Sequence, residues 1–460
     1  MTNSIHHYDV AIIGGGPAGQ AAALVLDQNG ARIAVIDEQQ RPGGQILRQP
    51  PQEFAMAQSM KGKSYTSLKS QLRAFEALNR CDWIGGKSVI GIDRSGGTVD
   101  LTLASGDGIT QVSANRLLIA SGCYDLPIPI PGWTLPGAMG AGGLQALVKA
   151  QAVVPDGRVL LAGTHPLMLI VATQVIAAGG TVAEVAFDQR QSFLARLLIK
   201  GAGTALRNFG LMLDAASAWA TLRRAGVPVT FGQRLSVIEG LNRVSSARIG
   251  KRTVHCDAVG LCYGFLPQSD LPRLAGLSVR WAQPTGGWAA EHDGWMRSSV
   301  SQIFVAGETS GVAGAPAALL EGQIAGAGIA LDLGLIPMDE AEAIRRDAAR
   351  KQIRVSRFAA LLDRIADPTS ALTALRDANT ILCRCEDVTI GAVETALIQD
   401  SDPNSVKLVT RCGMGTCQGR GCEHMLLRLA AHKRGVGPNE LRGFTSRFPV
   451  RPTRIGDLIG

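Results

Sequence analysis

Five of the nine cysteines lie close together near the C-terminal end of the chain: Cys383, Cys385, Cys412, Cys417 and Cys422. Four thiolates suit Zn²⁺ or a [2Fe–2S] cluster. Zinc sites use pairs separated by about two to four residues, whereas Cys383-x-Cys385 is a CxC pair, which fits a small inorganic cluster better. The segment RCGMGTCQGRGC is rich in glycine, and backbone amides there can donate to sulfides and tune a potential. Two closing pairs of identical spacing are open, Cys417-x4-Cys422 and Cys412-x4-Cys417. The remaining cysteines, Cys81, Cys123, Cys256 and Cys262, are scattered and read as small buried hydrophobes. None of them forms the CxxC pair of dithiol chemistry, so disulfide reductase activity is not expected.

The second constellation is at the other end. Gly14, Gly16 and Gly19 give GxGxxG, with Ala18 inside it, between the apolar run YDVAII and a helical segment. In such a turn the first glycine makes the bend, the second admits a pyrophosphate and the third lets helix and strand pack closely. The helix N-terminus then offers free N–H groups and a partial positive charge. Asp37 ends the next strand, placed to accept from ribose hydroxyls, with Glu38 as the neighbouring alternative. Arg41-Pro42-Gly43-Gly44-Gln45 is a second glycine turn that would bring amides near the far half of an extended dinucleotide. A later strand end carries Gly307-Glu308.

The elements that must position these residues follow from periodicity. Tyr8–Ile13 and Ala31–Ile36 read as strands around a helix at Gln20–Gln28. A separate αβ unit restarts at Arg158; its stretch Val159–Ala183 lacks formal charge but is broken by Gly163, Pro166 and Gly179-Gly180, so it reads as strand, turn, helix, strand rather than a membrane span. The strand Gln302–Glu308 precedes a glycine-studded helix, Gly311–Ala330. From Pro337 to Pro368 the chain turns charged and alanine-rich, a helical connector.

Here a resemblance becomes specific. The N-terminal GxGxxG, the LLIASG stretch (Leu117–Gly122) and the strand before Gly307-Glu308 resemble the glutathione-reductase type of flavoprotein, an α/β fold with two dinucleotide-binding domains. That resemblance implies FAD, held at Gly14, Gly16, Ala18, Gly19, Asp37, Glu38, Gly44, Gln45, Gly307 and Glu308; Glu308 stands where the wider fold has Asp. In the second αβ unit only Gly163 survives of a glycine turn, with His165 and Met168 at the other positions, so it reads as a structural relic or a site for a different nucleotide, not for NAD(P)H, and His165 as a turn residue. CRCEDVT and TRCGMGTCQGRGC resemble the bacterioferritin-associated-ferredoxin-like [2Fe–2S] module. That match implies Cys383, Cys385, Cys417 and Cys422 as ligands and Cys412 as a bystander. The expected boundaries are 1–150 and 286–335 for the FAD domain, 151–285 for the inserted NAD-like domain, 336–378 for the connector and 379–460 for the α-rich cluster module.

The order of these parts, with DEQQRPGGQI and CYGFLPQSDL (Cys262–Leu271), resembles the large (α) subunit of heteromeric dye-linked dehydrogenases: opine oxidases, hydroxyproline and proline dehydrogenases, and more distantly hydrogen cyanide synthase. The resemblance implies that an octopine- or nopaline-like opine, or a related amino acid, is oxidised on a partner FAD-containing β subunit of sarcosine/D-amino-acid-oxidase type. A small third subunit, together with a quinone or carrier as electron acceptor, belongs to the same expectation. This chain shows no HExxH or Ser-His-Asp arrangement and has only seven histidines, so its catalytic residues stay unknown. The alternative of a different class is a stand-alone NAD(P)H-dependent FAD/iron–sulfur reductase with the cluster as electron exit, against which the degenerate second glycine turn counts.

Composition excludes other classes. With 46% hydrophobic residues the 460-residue chain can bury large cores, so disorder is excluded. Its 55 glycines exceed the usual ~7% without a G-X-Y period. The net charge of +8 is spread along the chain and aromatics are 5%, which speaks against nucleic acid. Met1–Tyr8 has no apolar leader. The expected location is the cytoplasm, either free or peripheral at the inner face of the membrane.

Overall fold

The computed structural model describes residues 6–50, 63–94, 96–106, 108–374 and 377–459; the stretch Met1–Tyr8 lies partly outside them. The strand His6–Ile13 is buried almost throughout from Tyr8 onward, as expected of a strand covered on both faces. It pairs in parallel with Ile33–Asp37 on one side and Gly108–Ile119 on the other. The sheet runs Cys81–Gly85, Ile33–Asp37, His6–Ile13, Gly108–Ile119, Val99–Ser105, Ser88–Asp93. Ile303–Val305 joins it in parallel on Gly108–Ile119, so a segment from far along the chain completes the N-terminal sheet. A second sheet is wholly parallel, in the order Val229–Phe231, Thr181–Phe187, Arg158–Gly163, Ala258–Cys262, Ala138–Gly140.

Helices sit where the glycine turns release them. The first spans Pro17–Gln28 and opens with proline, whose missing N–H is harmless at a helix start; it begins earlier than the sequence periodicity suggests. The helix expected from Gly311 instead spans Ala315–Asp332. Gly311 and Gly314 take φ of +150° and +86°, outside helical space, and so delay it. The two helices cross closely: a Cβ on Gly322 would lie 2.1 Å from the Ala18 carbonyl oxygen.

The connector is one helix, Met338–Ile365. Ala341 and Ala348 are buried and Val355 is partly buried against the core of the first sheet. Their sevenfold spacing makes one stripe, while Glu342 pairs outside it with Arg345 and Arg346. Beyond it, Ile381–Cys383 pairs with Val388–Thr389. The helices Ile390–Gln399 and Pro403–Thr410 follow, capped by Thr389 and Asp402, and then Glu423–Arg434. Cys383, Cys412 and Cys422 share one buried core with Ile128, Leu160 and Trp281, so this segment packs on the rest of the molecule. Among the described residues no helix is long and apolar enough to cross a membrane.

Candidate functional site

The first glycine turn is fixed by the strand ends around it. Gly14 N–H donates to Ile36 O and Ala120 N–H to Ile13 O, each at 2.8 Å. A Cβ on Gly14 would sit 2.3 Å from Ala120 O, and one on Gly19 would sit 2.0 Å from Gly14 O; both glycines are demanded by the fold itself. Gly16 is different. Its backbone is extended, and a Cβ there would touch only Gly44 Cα, at 3.7 Å. Its lack of a side chain therefore keeps space open above a helix start that has no side-chain cap, where N–H groups and the positive end of the helix are on offer.

The second glycine turn rests on the first. Gly43 N–H donates to Gly15 O at 3.0 Å, and a Cβ on Gly44 would come within 2.7 Å of Gly16 Cα. Gln45 is exposed. Its carbonyl and that of Ile46 accept from Lys149 Nζ at 3.4 and 3.1 Å. Lys149 is 1% exposed; burial, aided by the charge of Arg48, pushes its pKa down to about 7. Asp37 accepts from Gly15 N–H (2.7 Å) and Gln39 N–H (2.8 Å). Burial raises its carboxyl above the ordinary range against those two donors. Glu38 stands half exposed and pairs with Arg451 at 3.2 Å.

Gly307 and Glu308 form a short 3-10 turn at the end of the strand Ile303–Val305. A Cβ on Gly307 would lie 3.0 Å from the Ala18 methyl, so this turn abuts the start of the first helix. Glu308 is half-buried, and desolvation raises its carboxyl above the ordinary range; it accepts from Gly314 N–H at 3.2 Å and from the thiol of Cys123. Cys123 is thus half-buried and bonded to Glu308 rather than a plain hydrophobe. Glu321 steadies the turn, accepting from Gly307 N–H (2.8 Å) and Ser310 Oγ (3.0 Å). Burial raises its pKa to about 7.

In the second αβ unit, Gly163 keeps the bend, with φ +151° and room only for hydrogen beside Cys262 O. Met168 is fully buried. His165 serves the turn: its Nδ1 accepts from Leu167 N–H at 3.1 Å, and burial lowers its pKa to about 4, leaving it neutral.

All five C-terminal cysteines come together, in two groups. The Sγ atoms of Cys383, Cys412 and Cys422 lie within 4.8 Å of one another, and all three side chains are buried. Hydrogen bonds from Cys412 and then Cys422 hold the Cys383 thiol far below its ordinary value, and the same contacts push Cys412 and Cys422 up. Gly413 N–H also points at Cys383 Sγ, 3.4 Å away. Cys385 is exposed and Cys417 half-buried; burial raises Cys417, and a hydrogen bond with Cys385 adds to it. Cys412, the bystander of the sequence reading, is therefore inside the buried triad. The cluster loop is tied to the core by Arg273–Glu423 at 2.6 Å, both largely buried, and by Arg420–Asp270 at 3.5 Å.

A model of the pyridine nucleotide-disulphide oxidoreductase family matches residues 8–322. The chain belongs to that family. An opine oxidase subunit from Rhizobium meliloti (strain 1021) is 34% identical to this family member over 98% of either chain. Hydrogen cyanide synthase subunit HcnB of Pseudomonas aeruginosa is 33% identical over 96% of either. L-proline dehydrogenase from P. horikoshii shares the fold at TM-score 0.71 and 20% identity, over 99% of this chain and 80% of that one. Despite the family's name, no CxxC pair occurs in this member. Lys149, Glu321, the Cys123–Glu308 contact and the Arg273–Glu423 pair escaped sequence reading. A lone lysine in the apolar segment AGGLQALVKA was the one available signal; the others are pairings between distant segments.

Proposed function

We propose that this chain is the FAD- and [2Fe–2S]-bearing electron-transfer subunit of a heteromeric dehydrogenase that oxidises the C–N bond of an opine or related amino acid. Substrate oxidation would take place on a partner flavoprotein of sarcosine/D-amino-acid-oxidase type. The observation that carries the reading is the presence in one molecule of a stacked glycine cradle and, packed into the core that includes the second sheet, a buried triad of thiols with the Cys385–Cys417 pair in addition. The relatives support it, since the opine oxidase relative and HcnB are both named as subunits.

The cradle fits FAD. Gly16 leaves room for a pyrophosphate at an uncapped helix start, Asp37 has lone pairs left for the ribose, and Glu308 lies at the adjoining strand end for the ribityl chain. Gly44 and Gln45 line the second turn, and Ala18 bridges to Gly307. The thiols fit a two-iron cluster. Cys383 and Cys422 of the buried triad, with Cys385 and Cys417 beside each other, would supply its four thiolates. Cys412 then lies against Cys383 and Cys422, and exchanging it with Cys422 gives the rival set. When bound, the two groups supply one-electron relay between a flavin and an acceptor. This chain's residues hold them, keep water from the buried thiols and fix the cluster loop through Arg273 and Glu423.

The experiment is an assay with an artificial electron-accepting dye on octopine, nopaline, proline, hydroxyproline and glycine, using first the isolated chain and then the co-expressed complex. Turnover is expected only with the complex, and robust turnover by the isolated chain overturns the relay. A second reading, the equivalent subunit of a glycine-oxidising, hydrogen cyanide synthase-type complex, is favoured by the 33% identity to HcnB; cyanide release from glycine by the complex would select it.

A further inference from the structure

The second glycine turn has lost more than its glycines: its amides are already used. Thr164 and His165 N–H both donate to Cys262 O, at 2.9 and 3.0 Å, and Met168 N–H donates to His165 O at 3.2 Å. Leu167 N–H goes to His165 Nδ1, and position 166 is proline. A pyrophosphate arriving at this helix start would find its usual donors engaged.

The turn also has an occupant. Thr164 Oγ1 donates to Ala366 O at 2.7 Å in a fully buried bond. Gln189, just past the strand Thr181–Phe187, donates through Nε2 to Ile365 O at 2.6 Å and to Thr164 O at 2.8 Å. Arg234 joins the same contact, reaching Asp188 at 3.2 Å and Ser370 Oγ at 2.9 Å. Ile365 is the last residue of the 28-residue connector helix and Ala366 its C-cap. Their carbonyls belong to the end of a helix that lacks intrahelical donors and carries partial negative charge. One turn earlier, Leu361 lies in the space left by Gly201, 2.8 Å from where its Cβ would be. The crevice that remains, lined by His165, Phe265, Asp363 and Ala366 among others, holds about 50 Å³, against several hundred Å³ (roughly 300–1,000) for a small-molecule site.

We propose that the second dinucleotide turn is an internal docking socket whose ligand is the chain's own backbone: Thr164 and Gln189 recognise the carbonyls of Ala366 and Ile365. Docked there, the connector's end sets where the cysteine segment leaves the core and faces any incoming pyrophosphate with the negative end of a helix. The socket replaces a pyridine nucleotide site instead of merely failing as one, and this holds whichever metal group the cysteines bind.

Hydrogen exchange on the full chain tests this. Thr164→Val combined with Gln189→Leu should speed exchange in residues 362–374 at least tenfold while residues 10–28 exchange as before, and Thr164→Ser should behave as the parent. Unchanged exchange in 362–374 of the double variant would overturn the proposal. If that variant does not fold, the parent protein decides through the same measurement with millimolar NADH or NADPH. No change at 159–170 or 362–374 supports the socket. Protection of 159–170 with loosening of 362–374 would mean that nucleotide takes the site, and would sink it.

Discussion

Gly16 and Gly19 look alike in the sequence, yet a methyl group would do opposite things at the two positions. On Gly19 it would collide with Gly14 O at 2.0 Å, so Gly19→Ala should cost stability by about 1–3 kcal/mol or more, read as a lower denaturant midpoint. On Gly16 it meets only Gly44 Cα at ordinary contact distance, 3.7 Å. Gly16→Ala should therefore keep its midpoint but bind FAD at least roughly tenfold more weakly, about 1.4 kcal/mol, measured by flavin titration of the apoprotein. A stable variant with undiminished FAD affinity would remove the cradle from this turn. Among the thiols the decisive comparison is Cys412→Ala against Cys422→Ala, by iron content and electron paramagnetic resonance of the reduced protein. The ligand set Cys383, Cys385, Cys417 and Cys422 expects iron to survive the first and be lost in the second; the reverse result installs Cys412. Residue types and spacings made both constellations legible. The Cys123–Glu308 bond was not, because 185 positions separate its partners.

At the scale of elements, the helix Ala141–Ala150 matters through its end, where Lys149 reaches the carbonyls of the second glycine turn. With a folded pKa of about 7 against 10.5 unfolded, the unfolded chain binds the extra proton between those values. Stability from this group therefore rises with pH from about 7 toward 10.5 and is lost below, by at most about 1.4 kcal/mol per pH unit. Lys149→Met should remove that slope, seen as the difference between parent and variant in denaturant midpoints from pH 7 to 9.5; an unchanged slope would mean the amine is not responsible. The elements themselves were largely readable, since a strand buried on two faces leaves an unbroken apolar run and a buried helix stripe leaves a local period. The docking of elements was not. Nothing within Met338–Ile365 says that Gln352 reaches Glu321 at 3.1 Å, and the late start at Ala315 depends on backbone angles that glycine permits without announcing.

Across the whole molecule, the cluster loop is held to the family core by a pair with little access to water, Arg273–Glu423 at 13% and 12% exposure. Removing one partner strands the other charge, which costs about 3–5 kcal/mol when buried. Arg273→Met alone should thus destabilise strongly and release iron on mild warming, whereas Arg273→Met with Glu423→Gln should recover much of the loss. Equal damage in both variants would show that packing rather than charge holds the loop, and iron loss against temperature together with the unfolding midpoint gives the answer. The sequence offered both residues, 150 positions apart, with no local mark that they meet.

The connector helix also limits how the chain can vary in length. Its stripe at Ala341, Ala348 and Val355 must lie on the first sheet's core while Leu361 and Ala366 meet the second unit. Each residue inserted between these anchors turns everything after it by about 100° and advances it by about 1.5 Å. Restoring the angle takes about seven residues, which lengthens the helix by roughly 10 Å and overshoots the far anchor. The segment is in effect a gauge of fixed length. A single alanine inserted after Arg350 should be tolerated less well than several residues inserted at the exposed turn around Asn242.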